Sequence, residues 1–465
     1  MIRDMHYGSL EAASKEKEMS SDSAKPWNQA LIWSRIVAGG SAIAYGVSWG
    51  GFGGVGVLMQ EEMGMSTTHV SLLTSIMYVL IPIGALCGGY VGDARGRLTV
   101  ITWSYVGIAA GLLIMAAGTG GWTVLFGRLI ESLATGFGLA ATSTYITELA
   151  PAQVRGYFTA LEETFISAGI LLGYLINMVF ASTLHGWRYC LIADASIPII
   201  MIIPILLGVC PESPRYYQMT SQTAKAEEVL HQLVSMEEAS MIIERWSAED
   251  RKSKFVGWTR ILWPTSQESR LLRTAMCVMA IQMLSGISWL GIYTVRIFDT
   301  DMTVGHAMLS QIVVGVVRLA GSLAALLLVE QAGRRMLLLV SSLGMGLGYA
   351  IATAGYFLEA DILLKVAFLS FIALAYEVGV GPVAYVYTAE ILPTELRSKG
   401  FAMAVAISRL ISAGQQMIFP MIADELGNGV CMFSLSSIMA ASTLYIFNAC
   451  PETQGIELED MREIF

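Results

Sequence analysis

Long apolar runs, each broken by a few charged or turn-forming residues, recur along almost the whole chain. Residues 30–57, 69–91, 98–118, 122–147, 157–181 and 187–210 form six such runs, and 273–298, 305–329, 335–356, 362–389, 399–423 and 428–449 form six more. The runs are continuous rather than alternating, so they predict helices. Each is near the ~20 residues a helix needs to cross a bilayer core. Only helices or closed barrels satisfy their backbone there. The pattern therefore predicts an all-α membrane protein with twelve transmembrane helices. It divides the chain into a polar tail (1–28, expected disordered), a first six-helix half (29–210), a linker (211–272), a second half (273–449) and a short tail (450–465). The linker stretch "AKAEEVLHQLVSMEEASMIIERW" has apolar residues at helical spacing among many charges, which predicts short amphipathic helices rather than a separate domain. No short basic start leads into an apolar stretch at the N-terminus, so the first helix itself is expected to direct insertion.

Composition agrees. The chain is 55% hydrophobic and only 14% charged, where a soluble domain carries about 25% charged residues. Charge asymmetry then gives orientation. Arg95, Arg97, Arg155, Arg334, Arg335, Arg397 and Lys399 occupy short connections on one side. Glu61, Glu62, Asp299, Asp301, Glu359, Asp361, Asp424 and Glu425 occupy the other. The basic side is expected to be cytoplasmic, with both termini there, and the plasma membrane is the expected location. The net charge of −9 averages the two faces and signals no nucleic-acid partner. The six cysteines lie within or beside the apolar runs without paired spacing, and the five histidines are scattered, so neither disulfides nor a metal site is expected. No nucleophile–base constellation or Gly-rich phosphate loop stands out. An enzyme is not expected, and no cofactor is.

The charged punctuation is written twice. "GDARGR" (Gly92–Arg97) is echoed by "EQAGRR" (Glu330–Arg335), "ELAPAQVRG" (Glu148–Gly156) by "EILPTELRSKG" (Glu390–Gly400), and "PESPR" (Pro211–Arg215) by "PETQG" (Pro451–Gly455). The offsets Arg95 to Arg334, Glu148 to Glu390 and Pro211 to Pro451 are 239, 242 and 240 positions. A near-constant offset is a duplicated six-helix unit. Two such halves are the plan of major facilitator transporters, which hold substrate between them near the midplane.

These motifs, with Gly127–Arg128, Trp187–Arg188, "QMLSGIS" (Gln282–Ser288) and "EVGVGPVAYVYTAE" (Glu377–Glu390), span residues 30 to 455. With them the chain resembles the sugar porter family of the major facilitator superfamily. The resemblance implies alternating access. It also implies a gate in which Arg95, Arg97, Glu148, Arg155, Glu212, Glu330, Arg334, Arg335, Glu390 and Arg397 pair across the two halves on the cytoplasmic face. It places the substrate pocket on Glu163, Gln282, Ser288, Tyr293, Arg318, Glu377, Tyr385, Ser408, Arg409 and Ser412. Family amide positions are here Met283, Ser288, Arg318 and Ser408, so neutral amides are fewer and guanidinium groups more numerous. Gln415 and Gln416 offer amides if the eleventh helix is rotated.

Depth follows from geometry alone. Arg318 precedes Glu330 by 12 positions, and Arg409 follows Arg397 by 12. At about 1.5 Å of rise per residue each lies ~18 Å from the basic face, near the centre of a core roughly 30 Å thick. Glu377, 13 positions before Glu390, is at similar depth, and Glu163 is nearer that face. Two readings stand side by side. Either Arg318 or Arg409 meets a carboxylate on the substrate, or Glu162, Glu163 and Glu377 neutralise both arginines and only hold helices together. The family's acidic residue on the first helix is absent from Ala44–Gly46, so proton coupling, if present, would pass through Glu162 or Glu163. The chain is read as a transporter of a small hydrophilic solute, a sugar or polyol, functional as a monomer, either as a facilitator or with protons. A small organic anion is the alternative solute. A non-transporting sensor of the same fold is the alternative class, although such sensors add a long signalling tail and this chain has about 15 residues after its last helix.

Overall fold

The computed structural model describes residues 29–149, 155–233, 236, 239–244, 246, 261, 263–264, 266–299, 304–392 and 394–454; the two expected tails lie outside them, apart from residues 450–454. The first half contains α1 (Gln29–Met63), α2 (Thr67–Arg95), α3 (Arg97–Ala117), α4 (Gly121–Leu149), α5 (Arg155–Phe180) and α6 (Gly186–Leu206). Two short helices follow in the linker, α7 (Pro214–Met219) and α8 (Thr223–Leu233). The second half contains α9 (Ser266–Leu284), α10 (Ile287–Asp299), α11 (Val304–Ala332), α12 (Arg334–Phe357), α13 (Ile362–Val378), α14 (Val380–Ile391), α15 (Thr394–Leu426) and α16 (Asn428–Ala449). Together they give twelve spans long and apolar enough to cross a membrane.

Two spans differ from the sequence expectation of single helices. The seventh is broken between α9 and α10 at Ser285–Gly286, and the tenth between α13 and α14 at Gly379. Side chains occupy the backbone groups released there. Tyr349 Oη donates to the Ser285 carbonyl at 2.6 Å, Ser341 Oγ donates to the Ala375 carbonyl at 2.6 Å and accepts from the Val380 N–H at 2.9 Å. Irregular backbone is tolerated at membrane depth only when protein satisfies it in this way.

Within each half the helices pack pairwise, α1 on α5, α2 and α3 on α4, α12 on α16. The halves are joined chiefly by α2 with α15, α5 with α11, and α1 with α10. The last pair seals the face opposite the linker. Gly53 lets α1 approach α10 so closely that an added Cβ would overlap the Ile292 carbonyl oxygen. Tyr293 adds hydrogen bonds to Thr74 and Ser71 on α2, both at 3.2 Å, and Tyr174 Oη donates to the Gly291 carbonyl.

Candidate functional site

On the linker face the repeated motifs build the same assembly twice. In the first half Arg97 forks onto Glu148 through two hydrogen bonds of 3.1 Å and meets Asp93 at 2.9 Å. Glu212 accepts from the backbone N–H groups of Arg97 and Leu98, capping α3, while Ser213 donates to Glu148. In the second half Arg334 pairs with Glu390 at 3.2 Å, Glu452 accepts from the N–H groups of Arg334 and Arg335, and Thr453 donates to Glu390. Gly96 (φ 99°) and Gly333 (φ 81°) make the turn that each assembly needs, in backbone territory an L-residue avoids.

In this structure the described ion pairs of the set lie within one half, where the expectation was pairing across the halves. Arg97 with Glu148 and Arg334 with Glu390 each stay within one half. Arg95 lies over Trp103, and Arg335 donates to the Phe447 carbonyl, again within one half. The reason is geometric: each Gly turn folds its Arg back onto the end of a helix in its own unit, and the Glu beside the Pro is spent on capping. The side chains of Arg155, Glu330 and Arg397 lie outside the described residues.

The two caps differ in electrostatics. Burial pushes the Glu212 carboxyl above the usual carboxylate range, against the pull of the N–H groups of Ser213, Leu98 and Arg97. Burial acts on Glu452 too, but the N–H groups of Gln454, Arg334, Thr453 and Arg335 outweigh it and hold that carboxyl below the usual range.

At mid-depth the cleft between the halves collects charge. Arg318 on α11 meets Glu377 on α13 at 2.6 and 2.8 Å, both fully buried. The pair lies against the first half, with the Arg318 guanidinium 5.1 Å from the Trp49 ring centroid. Arg409 on α15 is 9% exposed. It donates to Tyr385 Oη at 2.8 Å and, across the halves, to Tyr45 Oη at 3.3 Å. Glu162 and Glu163 face the same cleft from α5; Glu162 accepts from Ser143 at 2.9 Å, and Glu163 lies in the field of Glu377, Arg318 and Arg409. Glu162, Glu163 and Tyr385 are only half-buried, whereas Arg318 and Glu377 are fully buried.

The structure thus brings together Glu163, Arg318, Glu377, Tyr385 and Arg409. Gln282 borders them; its Nε2 donates to the Gly381 carbonyl at 2.7 Å across the two helix breaks, leaving Oε1 without a partner. Ser288 turns to Met283 Sδ, Ser408 to the Val405 carbonyl of its own helix, and Ser412 Oγ is buried without a partner. Tyr293 bonds to Ser71 and Thr74 on α2, at the contact between α10 and the first half. Gln415 reaches the Leu284 carbonyl, and both polar atoms of Gln416 are buried and unpartnered. Arg318 makes an ion pair with Glu377, whereas Arg409 makes none within 4.0 Å among the described residues, although Glu162 and Glu163 lie in its field.

Sequence reasoning missed Tyr45, Trp49 and Tyr78. They stand on α1 and α2 and carry the first half's share of the cleft, Trp49 Nε1 donating to Tyr78 Oη. Their signal was three aromatic residues with polar tips in otherwise small-residue or aliphatic spans. Also missed was a buried polar cluster inside the first half. Arg128 donates to Glu131 and Ser48 at 3.0 Å and to the Leu73 carbonyl at 3.2 Å, and Ser48 and Thr135 donate to Glu131. The depth test applied to Arg318 would have found it.

The geometry agrees with known proteins. A model of the family described as "Sugar (and other) transporter" matches residues 9–465. The probable polyol transporter 6 of Arabidopsis thaliana is 31% identical over 94% of either chain. The mouse solute carrier family 2, facilitated glucose transporter member 6, is 28% identical over 82% of this chain and 80% of its own. The glucose transporter GlcP of Staphylococcus epidermidis is 25% identical over 93% and 96%. Among solved structures, the proton:xylose symporter XylE bound to 6-bromo-6-deoxy-D-glucose superposes with a TM-score of 0.80 over 94% of this chain and 100% of its own, at 21% identity, which establishes a shared major facilitator fold. Two repeated six-helix halves, a polar cleft between them and a family match over nearly every residue lead to one conclusion: the chain is an integral membrane transporter, not an enzyme, and belongs to the sugar (and other) transporter family.

Proposed function

We propose that the protein moves a polyhydroxylated solute of the sugar or polyol class by alternating access. The observation that carries this is the mid-depth cleft: it is polar, lies between the two halves, and is flanked on one face by the close α1–α10 contact. Rocking the halves about the α2–α15 and α5–α11 contacts would break the Tyr293 and Gly53 seal and expose the same cleft to the opposite side. Relatives named for polyols and glucose favour hydroxyl-rich solutes, whose donors and acceptors suit a cleft of carboxylate, amide, phenol and guanidinium groups. The Arg-rich short loops favour a cytoplasmic linker face, and the plasma membrane is the membrane proposed. The whole pathway lies in one chain, which makes the monomer the functional unit. Protons are the candidate second solute, since Glu162 and Glu163 face the cleft where the Ala44–Gly46 stretch of the first helix carries no carboxylate.

The test is counterflow in proteoliposomes preloaded with sorbitol, glucose or their acid derivatives. Transient accumulation of labelled solute is expected. Binding without flux would overturn transport in favour of a sensor. An external pH electrode reads the proton question: solute addition should alkalinise the medium if protons accompany it.

A further inference from the structure

Two guanidinium groups face the cleft, and they are in different states. Arg318 is neutralised by Glu377 at 2.6 Å. Arg409 is not: it binds only the neutral phenols Tyr45 and Tyr385, and its Nε has no partner. Among the described residues no carboxylate comes within the 4.0 Å that defines an ion pair with it. Burying a charge without a counter-charge is unfavourable by several kcal/mol in order of magnitude. Such a group persists where a ligand supplies the missing charge.

Acceptors stand among the other groups around the cleft. Gln282 Oε1 is buried without a partner, and the Glu163 side chain faces the cleft half-buried. They call for hydroxyl donors. Glu163 and Glu377 also weigh against a dianion such as a phosphate, because only one positive charge is free. A neutral polyol would satisfy the acceptors and leave Arg409 without an ion-pair partner. A lone carboxylate would satisfy Arg409 and leave the acceptors idle.

We propose that the solute is a polyhydroxy monocarboxylate of the aldonate or uronate kind, its carboxylate on Arg409 and its hydroxyls toward Glu163 and Gln282. This rests on the transporter reading above and narrows its substrate class. A guanidinium fork matches a carboxylate geometrically, and the Tyr45 and Tyr385 phenols hold the fork in place from both halves. Because Tyr45 belongs to the other half, the bound carboxylate would sit where the halves meet and respond to their relative position.

The test uses the full chain in proteoliposomes with four labelled probes of equal carbon number: gluconate, glucuronate, sorbitol and glucose. At least one acid is expected to exchange about 10-fold or more faster than its neutral counterpart, because a site built for a polar group rejects the analogue lacking it. Arg409→Gln is expected to lose acid exchange by about 30-fold or more. Arg409→Lys should retain part of it, keeping the charge but not the fork. Exchange of sorbitol or glucose that neither acid inhibits would overturn the acid proposal and leave the transporter reading standing. Exchange of none of the four would overturn both. If Arg409→Gln does not fold, the wild-type panel decides by itself.

Discussion

Arg128 in the first half and Arg409 in the second are both guanidinium groups inside the membrane span, yet their surroundings are opposite. Arg128 is fully buried, and each of its nitrogens has a partner within its own half: the Leu73 carbonyl, Ser48, Glu131 and Met77 Sδ. It also lies over the Phe52 ring at 4.0 Å. Arg409 keeps an unpartnered Nε, has no ion pair among the described residues, and reaches across the interface to Tyr45. The difference teaches how to sort intramembrane charge. A saturated group locks a half into a rigid body. An unsaturated group at the interface is held ready for something that comes and goes. Arg318 stands between, neutralised by Glu377 but with one terminal nitrogen, Nη1, unpartnered.

Breaking the saturated side should have the largest effect. Arg128→Ala strands Glu131 in the interior and is expected to destabilise the protein by about 3–5 kcal/mol. Replacing both Arg128 and Glu131 with Met should recover most of the loss. Thermal unfolding in detergent reads both variants. A wild-type melting temperature for Arg128→Ala would show that the Arg128 cluster does not hold the first half together. Arg318→Ala, which strands Glu377, should fall in the same range.

The seal is the next target. Gly53→Val places methyl groups where the Ile292 carbonyl stands, an overpacking worth about 1–3 kcal/mol against the sealed state. A cysteine at Ser71, which is fully buried in the wild-type fold, should then become reactive to an impermeant maleimide added from the face opposite the linker. Unchanged reactivity would show that Gly53 does not control that face.

Arg409→Gln sharpens the comparison from the other side. Two hydrogen bonds to phenols are lost, but so is a buried charge that makes no ion pair, and the net change in stability is expected to stay within about 1 kcal/mol. Unfolding as severe as that of Arg128→Ala would assign Arg409 to the architecture.

The smallest effect contrasts the two helix caps. The Glu452 carboxyl is held below its ordinary range, so its contribution to stability is full above the unfolded-state value and is lost as pH falls through the folded-state value. The Glu212 carboxyl is raised, so its contribution is present at low pH and lost as pH rises through the folded-state value. Glu452→Gln should therefore lower the melting temperature at about pH 7 and become indistinguishable from wild type in acid. Glu212→Gln should leave it unchanged or raise it at about pH 7. Equal behaviour of the two variants would show that the repeat is electrostatic as well as geometric.

The sequence by itself determined the twelve spans, because apolar length is a property of contiguous residues and the bilayer tests nothing else. It determined the duplication, because a repeated offset needs no coordinates. It placed Arg318, Arg409, Glu377 and Glu163 at depth, because helical rise is uniform. The tertiary structure decided what rise along one helix does not report. Whether Arg97 meets Glu148 or a residue of the other half depends on how a Gly turn aims a side chain. Whether Tyr293 lines the cleft or closes it depends on how near α10 comes to α1 and α2. Where the seventh and tenth spans break depends on Tyr349 and Ser341 being at hand to take up the released backbone groups. Which arginine is neutralised depends on the rotation of α11, α13 and α15 about their own axes. Each of these is a contact between residues far apart in the chain, and a pattern read along one helix carries depth and face but not partner.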